Sequence, residues 1–318
     1  MAKSSKNALS KDFSSMVKAY HKSTGIEKVL YVILVLLIVT MLVNYLYPAR
    51  EGFTETKEFV TKQGPAVYDD FYANIYDNLV YSKIKNVFEV TTIVNTTRPT
   101  NRSIILDIGS GTGHHVKAFA DKKIKAIGID LSAAMVAKAN KNFPNLDYRQ
   151  QDAMDKMAFP GSSFTHITCL YFTIYYMKNK KLFFSNCYHW LKPGGYIVLH
   201  LVNKQEFDPI MPAGDPFILL SPQKYAKNRI TSTVVKFVGY DYKSNFEIYP
   251  NDTTAVFREQ LKSVDDGKIR KHTHFLYMPT QKKILNMAKD AGFILLAQID
   301  MKECKYDSQY LYILQKPN

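Results

Sequence analysis

Ser103-Ile104-Ile105-Leu106-Asp107-Ile108-Gly109-Ser110-Gly111-Thr112-Gly113-His114-His115 is the stretch whose reading decides the fold. Ile104, Ile105, Leu106 and Ile108 form a short aliphatic run that stops at three alternate glycines. A short apolar run bounded by turn residues reads as a strand buried on both faces, the kind a parallel sheet uses. The glycines carry the chain into a helix that begins at His114. Lacking Cβ atoms, they let the backbone approach a ligand closely. A dinucleotide site would need glycines at the first, third and sixth places. Counted from Gly109 the sixth place is His114, and from Gly111 it is Val116, so that spacing is not met. Asp107 stands two residues ahead of the first glycine instead. A carboxylate there repels a pyrophosphate and suits a ligand that carries an ammonium and a sulfonium.

Asp107-x-Gly109-x-Gly111-x-Gly113 resembles the first motif of the class I S-adenosylmethionine-dependent methyltransferases. The resemblance spans roughly residues 66–316 and is weakest over 203–278. It implies an α/β fold with a doubly wound, mostly parallel seven-stranded sheet whose last strand runs antiparallel. It also implies S-adenosylmethionine as the cofactor, held at Asp107, Gly109, Ser110, Gly111 and Gly113.

The following segments extend the match. Ala126-Ile127-Gly128-Ile129-Asp130 reads as a second strand ending in an acid, which can accept hydrogen bonds from both ribose hydroxyls. Ser132 is placed to cap the next helix, and Leu131 and Met135 to line an adenine pocket. After a third strand over 146–149, the resemblance gives Asp152 the adenine amino group and the Ala153 N–H a ring nitrogen; Asp155 is the competing acid. The fourth strand, 164–170, has Thr165 where the family usually has an acid, and His166 beside it reads as a strand histidine. Leu170, Tyr171 and Tyr176 follow at the strand end where the transferable methyl would sit. Either the tyrosines cover the next helix, or Tyr171 or Tyr176 offers a ring face or hydroxyl to the sulfonium or the acceptor. Cation–π attraction of that kind is worth ~0.5–2 kcal/mol. Leu191-Lys192-Pro193-Gly194-Gly195 is a turn frequent in the family before strand five, near whose end His200 is the best-placed histidine for acceptor contact or proton removal. Upstream, 66–90 has aromatic and apolar residues at helical spacing, and Tyr68 or Tyr72 is placed to touch the cofactor.

Residues 203–278 exceed what strand five needs to reach the next helix. Alternating β-rich runs with an Asp266-Gly267 turn predict an antiparallel β insert over the crevice at the sheet's carboxyl edge. His272-x-His274 in that insert reads as a pair of solvent-facing strand positions, too sparse for a metal site. No metal is expected elsewhere, since the three cysteines are widely spaced without a ligand pattern, and Cys169, in an apolar run, reads as a buried reduced thiol.

The first residues differ in character. A basic tail over 1–28 precedes Val29–Tyr47, which carries no charge and as a helix would reach about 28 Å, close to the roughly 30 Å of a bilayer's hydrocarbon core. The expectation is one transmembrane helix over 29–47, a linker over 48–65 and a catalytic domain over 66–318, giving a single-pass membrane protein in contact with the lipid bilayer. Lysines before the span place the domain across the membrane by the positive-inside rule; a cytosolic cofactor and free cysteines place it on the other side. The side is undetermined.

At 318 residues with a formal net charge of +14, the chain has room for a sizeable core and attracts acidic partners. The functional expectation is a membrane-anchored methyltransferase acting on a small molecule or lipid. The alternatives are methylation of protein or RNA at a membrane, and a cofactor-binding scaffold without catalysis. Nucleic acid is not favoured, because the Asn/Asp-Pro-Pro-Tyr/Phe signature of amino methylation is absent after strand four.

Overall fold

A computed structural model describes residues 20, 23–46, 59–209, 229–237, 239–249 and 253–318. It divides into two units, 1–55 and 56–318.

In the first unit Thr24 and Glu27 form a capping box, each accepting the other's backbone N–H, and helix α1 (Gly25–Leu46) follows. The expected span over 29–47, with the single-pass location and bilayer contact drawn from it, is corrected here. Among the described residues, no helix is long and apolar enough to cross a membrane.

The second unit opens with strand β1 (Phe59–Gln63), a 3-10 turn (Gly64–Val67) and helices α2 (Asp70–Leu79) and α3 (Lys83–Thr97). Side chains of Asp69 and Ser82 cap the two helices by accepting the N–H groups of Tyr72 and Lys85. Then come β2 (Ile104–Ile108), α4 (His114–Asp121), β3 (Lys125–Asp130), α5 (Ala133–Asn142), β4 (Asp147–Gln150), β5 (Phe164–Cys169), the short α6 (Thr173–Tyr176), α7 (Lys180–Trp190) and β6 (Leu191–Val202). Four strands follow, β7 (Ser232–Phe237), β8 (Tyr240–Ile248), β9 (Thr254–Ser263) and β10 (Ile269–Tyr277). The chain closes with α8 (Gln281–Asp290), β11 (Ile294–Asp300) and β12 (Gln309–Gln315).

The sheet built on the glycine-bounded strand is mixed. Its order is β11-β12-β6-β5-β2-β3-β4, parallel from β6 through β4, with β12 antiparallel to both β6 and β11. β2 lies inside the sheet between β5 and β3, with Ile105, Leu106 and Ile108 buried, because helices cover both faces of a parallel sheet. The chain leaves β2 toward β3 on one side and reaches β5 on the other. Between β2 and β5 the connections diverge, and a crevice opens at their carboxyl ends.

The insert forms a second sheet, β1-β10-β9-β8-β7. Gly267 takes φ 70° in the Asp266-Gly267 turn between β9 and β10. β1, within the stretch read as a linker, pairs parallel with β10 through Phe59↔Ile269 and Gln63↔Thr273. Five residues along a sheet edge need no apolar alternation, so nothing local marks them as a strand.

Candidate active site

The glycine loop is tied down by backbone groups of the neighbouring strand. The N–H groups of Gly109 and Ser110 both donate to the Ile129 carbonyl, at 2.8 and 2.9 Å. The Gly111 N–H donates to Asp130 Oδ2 at 3.0 Å, while Asp130 Oδ1 accepts the Ser132 N–H at 2.9 Å. Burial raises the Asp130 carboxyl, and those two N–H groups pull it back down. Gly113 adopts φ 95°, and its carbonyl accepts the Tyr148 hydroxyl at 2.8 Å. A Cβ there would come within 2.6 Å of that hydroxyl, so Gly113 is required by packing behind the loop.

Asp107 is buried in β2. Its Oδ1 accepts the Thr168 hydroxyl at 2.6 Å, whereas Oδ2 has no hydrogen-bond partner. Burial raises its pKa. An unpartnered carboxylate oxygen at a crevice wall is an acceptor without a donor, which suits a cationic ligand group.

These groups face one cavity of about 570 Å³. Of the residues singled out from the sequence, it brings together Tyr72, Asp107, Gly109, Ser110, Gly111, Asp130, Leu131, Met135, Asp152, Ala153, Leu170, Tyr171 and Tyr176. Gly113 and His200 are not in its wall. His200 is fully buried between β6 and β12, with Nε2 3.0 Å from Gln309 Oε1. Burial pushes it down to about 3, which keeps it neutral at physiological pH.

Two buried carboxylates were not foreseen from the sequence, Glu89 in the cavity wall and Glu259 behind the lining residue His274. Glu89 on α3 is wholly buried, 2.7 Å from Lys85 one helical turn earlier and 2.8 Å from His115 Nε2. Burial alone would raise its pKa, but the Lys85 charge and the His115 hydrogen bond hold it at about 2. Lys85 also lies 4.7 Å from the centroid of the Tyr171 ring, whose backbone is left-handed at φ 54°.

The second carboxylate, Glu259 on β9, meets side chains from three other elements, α2, β8 and β10. Oε1 accepts the Tyr242 hydroxyl at 2.7 Å, and Oε2 accepts the Tyr72 hydroxyl at 3.0 Å and lies 2.7 Å from His274 Nε2. His274 Nδ1 lies 2.9 Å from the Tyr176 hydroxyl, which in turn accepts the Tyr68 hydroxyl at 2.8 Å. Burial works against ionisation of Glu259, yet the nearby His272 ring, 3.7 Å away, and the hydrogen bonds of His274 and Tyr242 hold it at about 2. The reading of His272 and His274 as solvent-facing is therefore corrected: both are 1% exposed, on the covered face of the second sheet. Their alternation placed them on one face, and the packing of α2 against that sheet made it the buried one. Among the described residues, no group of three or more His, Cys, Asp or Glu could hold a metal ion.

Residues 105–195 match the family model described as a methyltransferase domain. That stretch is similar to methyltransferase domains. The chain is 32% identical over 141 residues to a dTDP-4-amino-2,3,4,6-tetradeoxy-D-glucose N,N-dimethyltransferase of Saccharopolyspora spinosa, covering 42% of this chain and 55% of the relative. The chain spans about half the length of the curated relatives it matches. Its fold is that of a solved S-adenosylmethionine-dependent methyltransferase from Clostridium acetobutylicum, at 18% identity and TM-score 0.60, covering 78% of this chain and 99% of the other. It is likewise that of an amino pentose methyltransferase from Micromonospora echinaspora solved with S-adenosylmethionine bound, at 20% identity and TM-score 0.55, covering 77% and 96%.

The donor set fits S-adenosylmethionine, the cofactor that the resemblance implies. Asp107 Oδ2 offers a buried acceptor for an ammonium, Asp130 a carboxylate at the neighbouring strand end, and Met135 and Ala153 apolar surface beside it. When bound, the cofactor supplies an electrophilic methyl group on a positively charged sulfur.

Proposed function

We propose that the protein methylates an amine nitrogen of a small polar molecule, with a nucleotide-linked amino sugar as the acceptor class. The observation that carries this reading is the continuity of the cavity. One wall is the strand ends with Asp107 and Asp130, and another is the insert, with Phe246, Phe257, His274 and Leu276. About 570 Å³ lies within the roughly 300–1,000 Å³ of small-molecule sites. The acceptor class is that in the name of the Saccharopolyspora spinosa relative. The net charge of +14 supports it, since a basic surface draws in a molecule bearing a diphosphate.

In this reading Asp107 receives the cofactor's ammonium at the loop formed by Gly109, Ser110 and Gly111. Asp130 receives the ribose, and Leu131, Met135, Asp152 and Ala153 hold the adenine. Leu170 and Tyr171 bring the strand-four end against the methionine part. Methyl transfer is an in-line displacement, so the residues chiefly align acceptor, methyl and sulfur and exclude water. The test is incubation with radiolabelled S-adenosylmethionine and either dTDP-4-amino-2,3,4,6-tetradeoxy-D-glucose, other amino-sugar nucleotides, total protein or RNA. Label in the amino-sugar arms supports the reading, and label confined to protein or RNA overturns it.

A further inference from the structure

The hydrogen bonds around Glu259 have a direction that chemistry fixes. An ionised carboxylate only accepts, so the ring nitrogen of His274 at 2.7 Å, Nε2, carries a hydrogen. In a neutral imidazole Nδ1 is then an acceptor, and the Tyr176 hydroxyl at 2.9 Å must donate to it. Tyr176 accepts from Tyr68 in turn. His272, on the same strand, is oriented differently. Arg270 donates to its Nε2 at 3.4 Å, and its Nδ1 faces Glu259 at 3.7 Å. The rest of the carboxylate's capacity goes to Tyr72 from α2 and Tyr242 from β8. One negative charge thus stands behind one imidazole whose free nitrogen points, through a tyrosine hydroxyl, toward the cavity that both Tyr176 and His274 line.

We propose that His274, presented by the second sheet and oriented by Glu259, receives the acceptor's proton through the hydroxyl of Tyr176. The inference rests on the small-molecule amine reading above. As the nitrogen lone pair forms the new C–N bond, the C–S bond breaks and its electrons return to sulfur, leaving the product nitrogen with a proton to lose. The Tyr176 oxygen takes that proton while its own passes to His274 Nδ1. Tyr176 is neutral before and after, which agrees with the burial that disfavours its anion. The resulting imidazolium sits against the Glu259 carboxylate. Tyr176 is the catalytic residue of this path; Tyr68 positions it, and Glu259 positions His274. The insert therefore does more than cover the acceptor, since it supplies the proton's destination.

His274→Gln is the informative substitution, because an amide can donate to Glu259 and accept from Tyr176 yet cannot take up a proton. With dTDP-4-amino-2,3,4,6-tetradeoxy-D-glucose as probe, kcat is expected to fall about 10²- to 10⁴-fold, the range of general-base effects. The acidic limb of the kcat–pH profile disappears, while calorimetric S-adenosylmethionine affinity and Tm stay within error. Tyr176→Phe, which cuts the path but leaves the imidazole, gives the same loss. A folded His274→Gln protein with wild-type kcat and an unchanged acidic limb overturns the proposal. A second measurement needs no turnover: in protein labelled with ¹⁵N-histidine, long-range NMR correlations at pH 8 should show His274 with its hydrogen on Nε2. A hydrogen on Nδ1 sinks the relay whatever the acceptor is. Failure of the wild-type protein to bind S-adenosylmethionine in the calorimeter would instead refute the underlying methyltransferase reading.

Discussion

Asp130 at the end of β3 accepts the backbone N–H of Gly111 at 3.0 Å, so the carboxylate of one strand holds the glycine loop that leaves its neighbour. The residue assigned to the ribose thus also sets the shape of the loop beside the ligand. Asp130→Ala removes a charged acceptor worth about 1.5–3 kcal/mol. It is expected to weaken S-adenosylmethionine binding about 10- to 100-fold by calorimetry, with the circular dichroism of the fold preserved. Undiminished binding would refute the assignment.

The three loop glycines separate into different roles. Gly113 combines φ 95° with the Tyr148 ring lying against it, so Gly113→Ala meets both backbone strain and a clash. Strain of this kind costs about 1–3 kcal/mol, and the Tm of Gly113→Ala should fall accordingly. At Gly111 a Cβ would meet only the Tyr76 ring, at 3.7 Å, an ordinary contact. Gly111 is also left-handed, at φ 53°, so Gly111→Ala meets strain without the clash; it should lose less Tm than Gly113→Ala while losing cofactor affinity, since the added methyl stands in the cavity wall. Equal thermal losses in the two variants would contradict this division.

The central strands were legible in the sequence for a physical reason. A parallel strand covered on both faces is largely apolar, and Ile104–Ile108 is such a run that stops at three alternate glycines. The acids at 107 and 130 were legible because a charge ending such a run has few structural uses. The Glu259–His274–Tyr176 arrangement was not, because its members lie on separate elements brought together only by the pairing of the second sheet and the packing of α2 upon it. His200 illustrates the converse. Its place near the end of β6 is correct, but Gln309 on β12 closes over it, and β12 enters the chain more than a hundred residues later.

Two histidines are buried in neutral form, His200 at about 3 and His166 at about 4, both through burial. Each lies below the ordinary value near 6.5, so the unfolded chain binds protons that the folded one refuses. Their contribution to stability is complete above about pH 6.5 and is lost as pH falls toward 4 and then 3. Glu89 and Glu259, held at about 2, add a further loss below about pH 4.5. Urea midpoints should therefore decline continuously from pH 6.5 to 3. His200→Gln should flatten that slope by up to about 1.4 kcal/mol per pH unit. An unchanged slope would mean that His200 is protonated in the folded protein.

Lys85 and Glu89 test whether the buried pair stabilises the fold or serves the cavity. Both are nearly inaccessible, 2.7 Å apart on one face of α3, and Glu89 also meets His115. Removing only the carboxylate, as in Glu89→Leu, leaves Lys85 buried beside the Tyr171 ring without its countercharge. Such a deletion typically costs about 3–5 kcal/mol. Replacing both, as Lys85→Met with Glu89→Leu, removes the buried charges together, and well-packed apolar substitutes for an ion pair are often neutral in stability. The single variant should therefore be strongly destabilised in urea titration and the double variant largely recovered. If the recovered double variant binds S-adenosylmethionine as tightly as wild type, the pair is structural. If it is stable but binds weakly, the charges were retained to hold the methionine end of the ligand.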